Sequence, residues 1–472
     1  MNRSAASLGL LGAALGALGL VWITNGTGIV GDDHDRHISI PDELVMPLQV
    51  RAAYNGERVF FQYRWPAERP GIHMDVFRHE GGKWVTYGED VPGPQEHIFL
   101  EDRVAMMVDD GGVPEFARYG GYIAIGDGLD SMTHAADGDA VKAHPYLGGE
   151  KKQEVVTKYL PQTRQNPGDW ASVVGEDRLK AQREAGYFLD FWHWRGHRSN
   201  VLGGADDQLI ADIRDGDKGK SGWSTNWDGE LKQPKFMYNP ERTGRVANNW
   251  DDLTSGRVGQ DDIYYLTADT MTAFDPDHPW KEGDTLPRRV LRPYEESRAD
   301  ITTASGKARW ENGYWEVTLS RLMDTGNPLD DKIFREGGAY NIAMAVHRNA
   351  SGLRWHYISL PLTVGFGRNA DMAAERFAGD APEWNQAWHS VKLFYPGQVS
   401  WPLLTSQRHP GKPMIERGIP VKHYHNEEQL ARYGIEIEFD DEIRAQWRLT
   451  MLAGLFMFAG VGFGLTRLAA RK

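Results

Sequence analysis

The chain has 472 residues, with 53 Lys and Arg against 66 Asp and Glu, a net charge of −13, and no cysteine. The missing thiol excludes disulfides, thiolate zinc sites, iron–sulfur clusters, cysteine nucleophiles and covalently attached c-type haem. The acidic balance, without any basic block, argues against a nucleic-acid partner, and 53 Gly with 24 Pro point to a turn-rich chain.

In chain order, residues 5–23 are apolar or glycine apart from Ser7, close to the roughly 20 residues of a spanning helix. They predict an N-terminal transmembrane anchor over 1–25, with a cleaved signal peptide as the alternative. Residues 59–65 form a short aromatic and β-branched run, with Val59, Phe60, Phe61, Tyr63 and Trp65, ended by Pro66, as a strand would be. Residues 72–77 and 83–87 flank Gly81-Gly82 and predict a hairpin. The runs 135–185 and 212–288 are polar, rich in Gly, Pro, Asp and Asn, and without a sustained period. They predict long insertions of functional or partner-binding type.

Asn312-Gly313 before the alternating Trp315–Ser320 is a strong hairpin signal. Residues 340–346 and 355–360 predict another around 349–352. Several hairpins without βαβ alternation favour a mainly β fold, an antiparallel β-sandwich over 26–370 with long loop insertions. A short helix is expected at 370–377, inside a tail over 371–445 that carries a second helix starting at Asn426. Residues 446–472 hold an uncharged run, 449–466, predicted to be a C-terminal transmembrane helix. Arg3 and Arg467, Arg471 and Lys472 lie on the outer sides of the two spans, so the positive-inside tendency puts both termini in the cytoplasm. The main domain is then periplasmic and the chain sits in a bacterial inner membrane. No internal repeat is found.

Several segments together resemble the ethylbenzene-dehydrogenase-type haem-binding domain, the fold of the cytochrome subunit that accompanies some DMSO-reductase-class molybdoenzymes. They are residues 50–58, Glu101-Asp102-Arg103 with Val104 to Met107, Leu189-Asp190-Phe191-Trp192-His193-Trp194-Arg195, Gly203 to Asp207, and Trp315 to Asp331 with Arg321-Leu322-Met323-Asp324-Thr325-Gly326. They occur in family order over roughly 40–367. The resemblance implies a sandwich that holds haem between its sheets and passes electrons, with no substrate chemistry of its own.

Membrane-bound relatives carry C-x-x-C-H attachment motifs that map onto 121–125 and, after His409-Pro410-Gly411, onto 421–425. Only His425 survives there. Haem c is thereby excluded. A non-covalent haem b remains open, because imidazole, thioether and amine can all ligate iron, and soluble cytochrome subunits of the family are understood to use Met and Lys. The resulting candidates are His425, His193 and Met106 for the cofactor, His425 and His193 for the metal, with Met107, Lys235, Met237, His134 and His144 behind them. On the Trp192-His193-Trp194 strand, alternation puts both Trp on one face and His193 on the other.

Two readings stay open: an electron-transfer subunit of a respiratory or molybdoenzyme-like complex, or a haem-free structural subunit that has lost both sites. Neither makes the chain an enzyme. Its expected partners are the membrane and other subunits of a redox complex. Calcium at Asp261-Asp262 or within 324–331 is a weaker alternative, without EF-hand spacing.

Overall fold

The computed structural model describes residues 45–394, except 89–99, 125–127, 131–134, 167–168, 217–219, most of 294–299, 305 and 349–355, together with helical residues 448–463 and a few isolated positions. Ten strands carry the architecture: β1 (Val45–Tyr54), β2 (Arg58–Pro66), β3 (Arg103–Asp109), β4 (Leu189–Arg195), β5 (Gly204–Ile210), β6 (Ile301–Thr303), β7 (Tyr314–Leu322), β8 (Ala339–His347), β9 (Tyr357–Ser359) and β10 (His389–Phe394). Pairing runs β1-β2-β7-β6-β5-β4-β3-β8-β9-β10 and returns to β1, antiparallel at every step. The sheet is therefore a closed ten-strand barrel.

This corrects the expected sandwich. The expected hairpins form: Arg309–Glu311 pairs β7 with Trp310 opposite Trp315, β8 pairs β9, and Lys83–Tyr87 pairs Val76–Glu80, an arm four residues later than the expected 72–77. Asn312 and Gly313 take φ of 52° and 81°, as a two-residue hairpin turn of the primed kind needs. What hairpin signals do not encode is closure. That comes from the long-range pairing of β2 with β7, in register from Arg58–Leu322 to Pro66–Tyr314, and of β1 with β10.

A barrel of ten strands has a wider interior than one of eight, so bulky side chains are needed to fill it. The inward face supplies Trp65, Trp192, Trp194 and Trp315, all with no exposure. Trp65 stacks on Trp315 at 6.2 Å, and Trp194 meets Trp315 edge-on at 5.1 Å. Phe61, Tyr63, Val104, Met106, Val108, Ile342, Met344 and Val346 join the same cluster. Among the described residues the interior is thus filled by a buried, largely aromatic and aliphatic cluster.

One polar node sits within it. Arg321, fully buried, reaches Asp190 at 2.6 Å, Asp331 at 2.8 Å and Asp207 at 3.1 Å. These three carboxylates form the acidic trio close enough to hold an ion, but the guanidinium lies among them, so calcium is not needed to account for Asp331. Desolvation pushes the Asp331 carboxyl up to about 7 against the pull of Arg321.

Two further expectations change. The helix anticipated at 370–377 is a strand, Met372–Arg376, because β1 and Leu362–Phe366 flank it and take up its backbone groups in parallel pairs. Nor is any helix among the described residues long and apolar enough to cross a membrane. The anchors, and with them the inner-membrane location and the cytoplasmic termini, lose their support. Nearly all of the first expected span, and the helix at Asn426, lie outside the described residues.

Candidate functional site

Alternation along a strand sends neighbouring side chains to opposite faces, and on β3, β4 and β8 both faces are covered. Inward go Val104, Met106 and Val108, Trp192 and Trp194, and Ile342 and Met344. Outward go Ala105 and Met107, Leu189 and Phe191, and Ala343, which pack with Val113, Phe116 and Ile123 of the segment that follows β3. Between this outer wall and the segments that cover it lies a cavity of about 340 Å³.

The floor follows from register. Ala105 faces His193 on β4 and Ala345 on β8, and Ala345 faces Ile358 on β9. Ala343 lies beside Met107 in the next row. Three alanines in adjacent strands leave room that leucine or valine would fill. The cover adds Met74, Gly121, Lys158, Trp223 and Arg289. Gly121 approaches this wall closely: a Cβ there would stand 3.3 Å from Ile358 Cγ2, so that side chain would have to shift slightly.

The rim is cationic, with Arg103, Arg195, Arg198, Arg214 and Arg289 lining it beside Lys158. Most are tethered by carboxylates set behind them. Glu101 accepts from Arg198 at 2.7 Å and pairs with Arg103 at 3.3 Å, and its other oxygen takes the backbone N–H of His197 and Arg198. Those cations hold the Glu101 carboxyl well below its usual range despite burial. Asp206 pairs with Arg195 and Asp75 with Arg289. Arg198 and Arg289 lie on the Trp223 ring at 5.2 and 4.5 Å, cation–π contacts that orient both guanidinium groups. Arg214 is held instead by Gln208 Oε1, at 2.6 Å, and lies over Phe191 at 4.8 Å. Burial and the neighbouring Arg195 push it down to about 9.

Three imidazoles reach the same cavity. His347 and His356 stack at 4.7 Å with 13° between planes, and His193 follows at 6.2 Å from His347. His193 is buried, and its Nδ1 accepts from Arg214 Nη2 at 2.8 Å and from Arg195 Nη2 at 3.2 Å. Arginine can only donate, so Nδ1 is the bare nitrogen and Nε2 carries the proton. Burial, then Arg195 and Arg214, push this imidazole well below its ordinary value, keeping it neutral. Its Nε2 has no hydrogen-bond partner among the described residues.

Of the residues singled out from sequence, the structure brings His193 and Met107 into the cavity. Both Trp neighbours of His193 face the core. Met106 points into the barrel, where the Tyr63 hydroxyl donates to its sulfur at 3.2 Å. Met237 belongs to a separate cluster with Leu266 and Leu286, and Lys235 is exposed. His144 caps a helical turn, accepting at Nδ1 from Tyr146 and Leu147 while Nε2 meets Ala171 O at 2.9 Å. His425 and His134 lie outside the described residues. Sequence reasoning missed His347, His356, Lys158 and the arginines. The first two flank an anticipated hairpin, whose pairing was the signal that could have joined them.

The family motifs acquire physical roles here. Asp190, Asp207 and Arg321, from three separate motifs, meet in the buried node, while Glu101 and Arg103 organise the cavity rim. Asp102 accepts from Trp315 Nε1 at 2.6 Å and Gly71 N at 2.8 Å, tying the β3 entry to β7. A family model described as ethylbenzene dehydrogenase matches residues 31–359. A comparison with curated proteins found no match.

Proposed function

This chain belongs to the ethylbenzene dehydrogenase family, and on that premise we propose that it is a non-catalytic, electron-transferring subunit of a molybdoenzyme-type redox complex, carrying a non-covalent haem b in the outer cavity. The observation that carries the reading is the donor set: thioether, amine and imidazole side chains on the cavity walls, with a cationic rim beside them. Haem asks for such groups, with axial ligands of these types and cations for its propionates. The volume, about 340 Å³, falls in the range of small-molecule sites, roughly 300–1,000 Å³. Gly121, first residue of the segment onto which the relatives' first attachment motif maps, lines the same cavity.

Met74, Met107, Lys158, His347 and His356 are the side chains suited to hold the iron. Met106 faces the barrel core, and the bare nitrogen of His193, Nδ1, is already engaged by two arginines. When bound, haem supplies reversible one-electron transfer. The chain's own residues exclude water through the alanine floor and Phe191, orient the guanidinium groups through Glu101, Asp75 and Trp223, and keep His193 neutral through Arg195 and Arg214. Substrate chemistry belongs on this reading to a partner subunit.

Purified chain, as isolated or titrated with haemin, should show a Soret band and a reversible redox spectrum. Protein that stays colourless after haemin is added sinks the proposal and leaves the haem-free structural subunit.

A further inference from the structure

The buried node is short of one hydrogen. Arg321 Nη1 carries two hydrogens and has three carboxylate oxygens around it, Asp331 Oδ1 at 2.8 Å, Asp207 Oδ2 at 3.1 Å and Asp190 Oδ1 at 3.2 Å. Nη2 is engaged by Asp190 Oδ2 at 2.6 Å and the Lys332 carbonyl at 3.1 Å. Two further donors help unequally: the Lys332 backbone N–H reaches Asp190 Oδ2 at 3.0 Å, and the Thr325 hydroxyl reaches Asp331 Oδ2 at 2.5 Å. Asp207 receives neither. Its Oδ1 is buried without a donor among the described residues, and its carboxyl is hydrogen-bonded to that of Asp300, whose own Oδ1 is in the same condition. Ionised carboxylates only accept, so a hydrogen bond between two of them needs a proton in it.

Charge points the same way. One guanidinium faces Asp190, Asp207 and Asp331, with Asp300 beside them, while the Lys332 ammonium turns away to Asp110 at 2.6 Å and Asp109 at 3.6 Å, and Arg183 serves Asp330 and Asp212. A buried charge left uncompensated is neutralised by a proton. We propose that Asp207 and Asp300 share one proton, which the folded protein keeps through neutral pH, and that the junction of β4, β5 and β7 with the segment carrying Asp331 is thereby a pH-sensitive lock. Desolvation, with Asp190, Asp300 and Asp331, pushes the Asp207 carboxyl well above its usual range against the pull of Arg321. An unfolded aspartate ionises near about 4, so the stability this proton contributes is complete below that value and is lost as the pH rises towards the raised one. The lock does not depend on what the outer cavity holds.

Asp207→Asn tests this on the full-length chain. The amide keeps an oxygen for Arg321 and offers Asp300 a permanent N–H in place of the shared proton. In denaturant unfolding from pH 5 upward, wild type should lose ground to this variant by up to about tenfold in the unfolding equilibrium constant per pH unit. Asp300→Asn should behave alike, its amide donating to Asp207. Infrared spectra in light and heavy water read the proton directly and need no variant to fold. At pH 8, above the Asp331 value of about 7, wild type should retain the C=O stretch of a protonated carboxylic acid, shifted by deuterium, a band that carboxylates and backbone amides lack. Absence of that band at pH 8 would overturn the inference, as would a stability gap between wild type and Asp207→Asn that stays the same at every pH.

Discussion

The two faces of strands β3 and β4 share one backbone and differ in almost every other respect. Inward, Val104, Met106, Val108, Trp192 and Trp194 interlock with Trp65 and Trp315. Outward, Ala105, Met107, Phe191 and His193 border a cavity ringed by guanidinium groups. One face spends its side chains on packing and the other on leaving room, so a single residue's step along the strand separates stability from binding. Substitutions on the two faces should therefore fail differently.

The largest effect is expected at the buried node. Arg321→Met leaves Asp190, Asp207 and Asp331 without their shared cation. Removing one partner of a buried ion pair costs about 3–5 kcal/mol, read as a drop in denaturant stability. A loss below about 1 kcal/mol would mean that protonation alone neutralises the trio.

Adjacent methionines sharpen the contrast. Met106→Ala opens the core beside Tyr63 and should cost about 2–5 kcal/mol without changing the haem spectrum. Met107→Ala should cost less and alter the spectrum or the haemin affinity. Identical behaviour of the two variants would erase the distinction between the faces.

A smaller effect is titratable. His197, whose Nδ1–H donates to Ile72 O at 2.9 Å, is pushed down to about 4, mainly by burial. The unfolded ring takes its proton near 6.5, so the stability His197 contributes is complete above that value. It is lost as the pH falls towards 4, by about 1.4 kcal/mol per pH unit. In His197→Asn this slope should vanish, so the stability gap between wild type and variant should narrow on acidification. A gap that stays constant from pH 7 to 4.5 would show that His197 titrates alike in both states.

The sequence exposed local structure well and global structure poorly. Asn312-Gly313 announces its turn because only residues tolerant of positive φ fit there. The alternation of Trp192-His193-Trp194 gives the correct relative faces. By contrast, β3 and β4 are buried at every position, so the alternation that would tell Met106 from Met107 is absent, and a one-residue error in parity exchanges core for cavity. Closure depends on β2 meeting β7 some 250 residues away, and no turn signal carries that. Arg214, Lys158 and Trp223 come from segments whose polar composition reads as loop, and only the fold brings them to the wall.

The central claim, that the outer wall rather than the barrel interior holds the cofactor, is tested most directly by haemin titration of Ala345→Leu beside wild type. Ala345 lies on the cavity floor between Ala105 and Ile358, so the added isobutyl group enters the ligand's space. With room to accept it, the change should cost less than the about 1–3 kcal/mol of overpacking a filled core. Wild type is predicted to develop a Soret band and the folded variant none. A variant that takes up haemin with wild-type affinity would contradict the account.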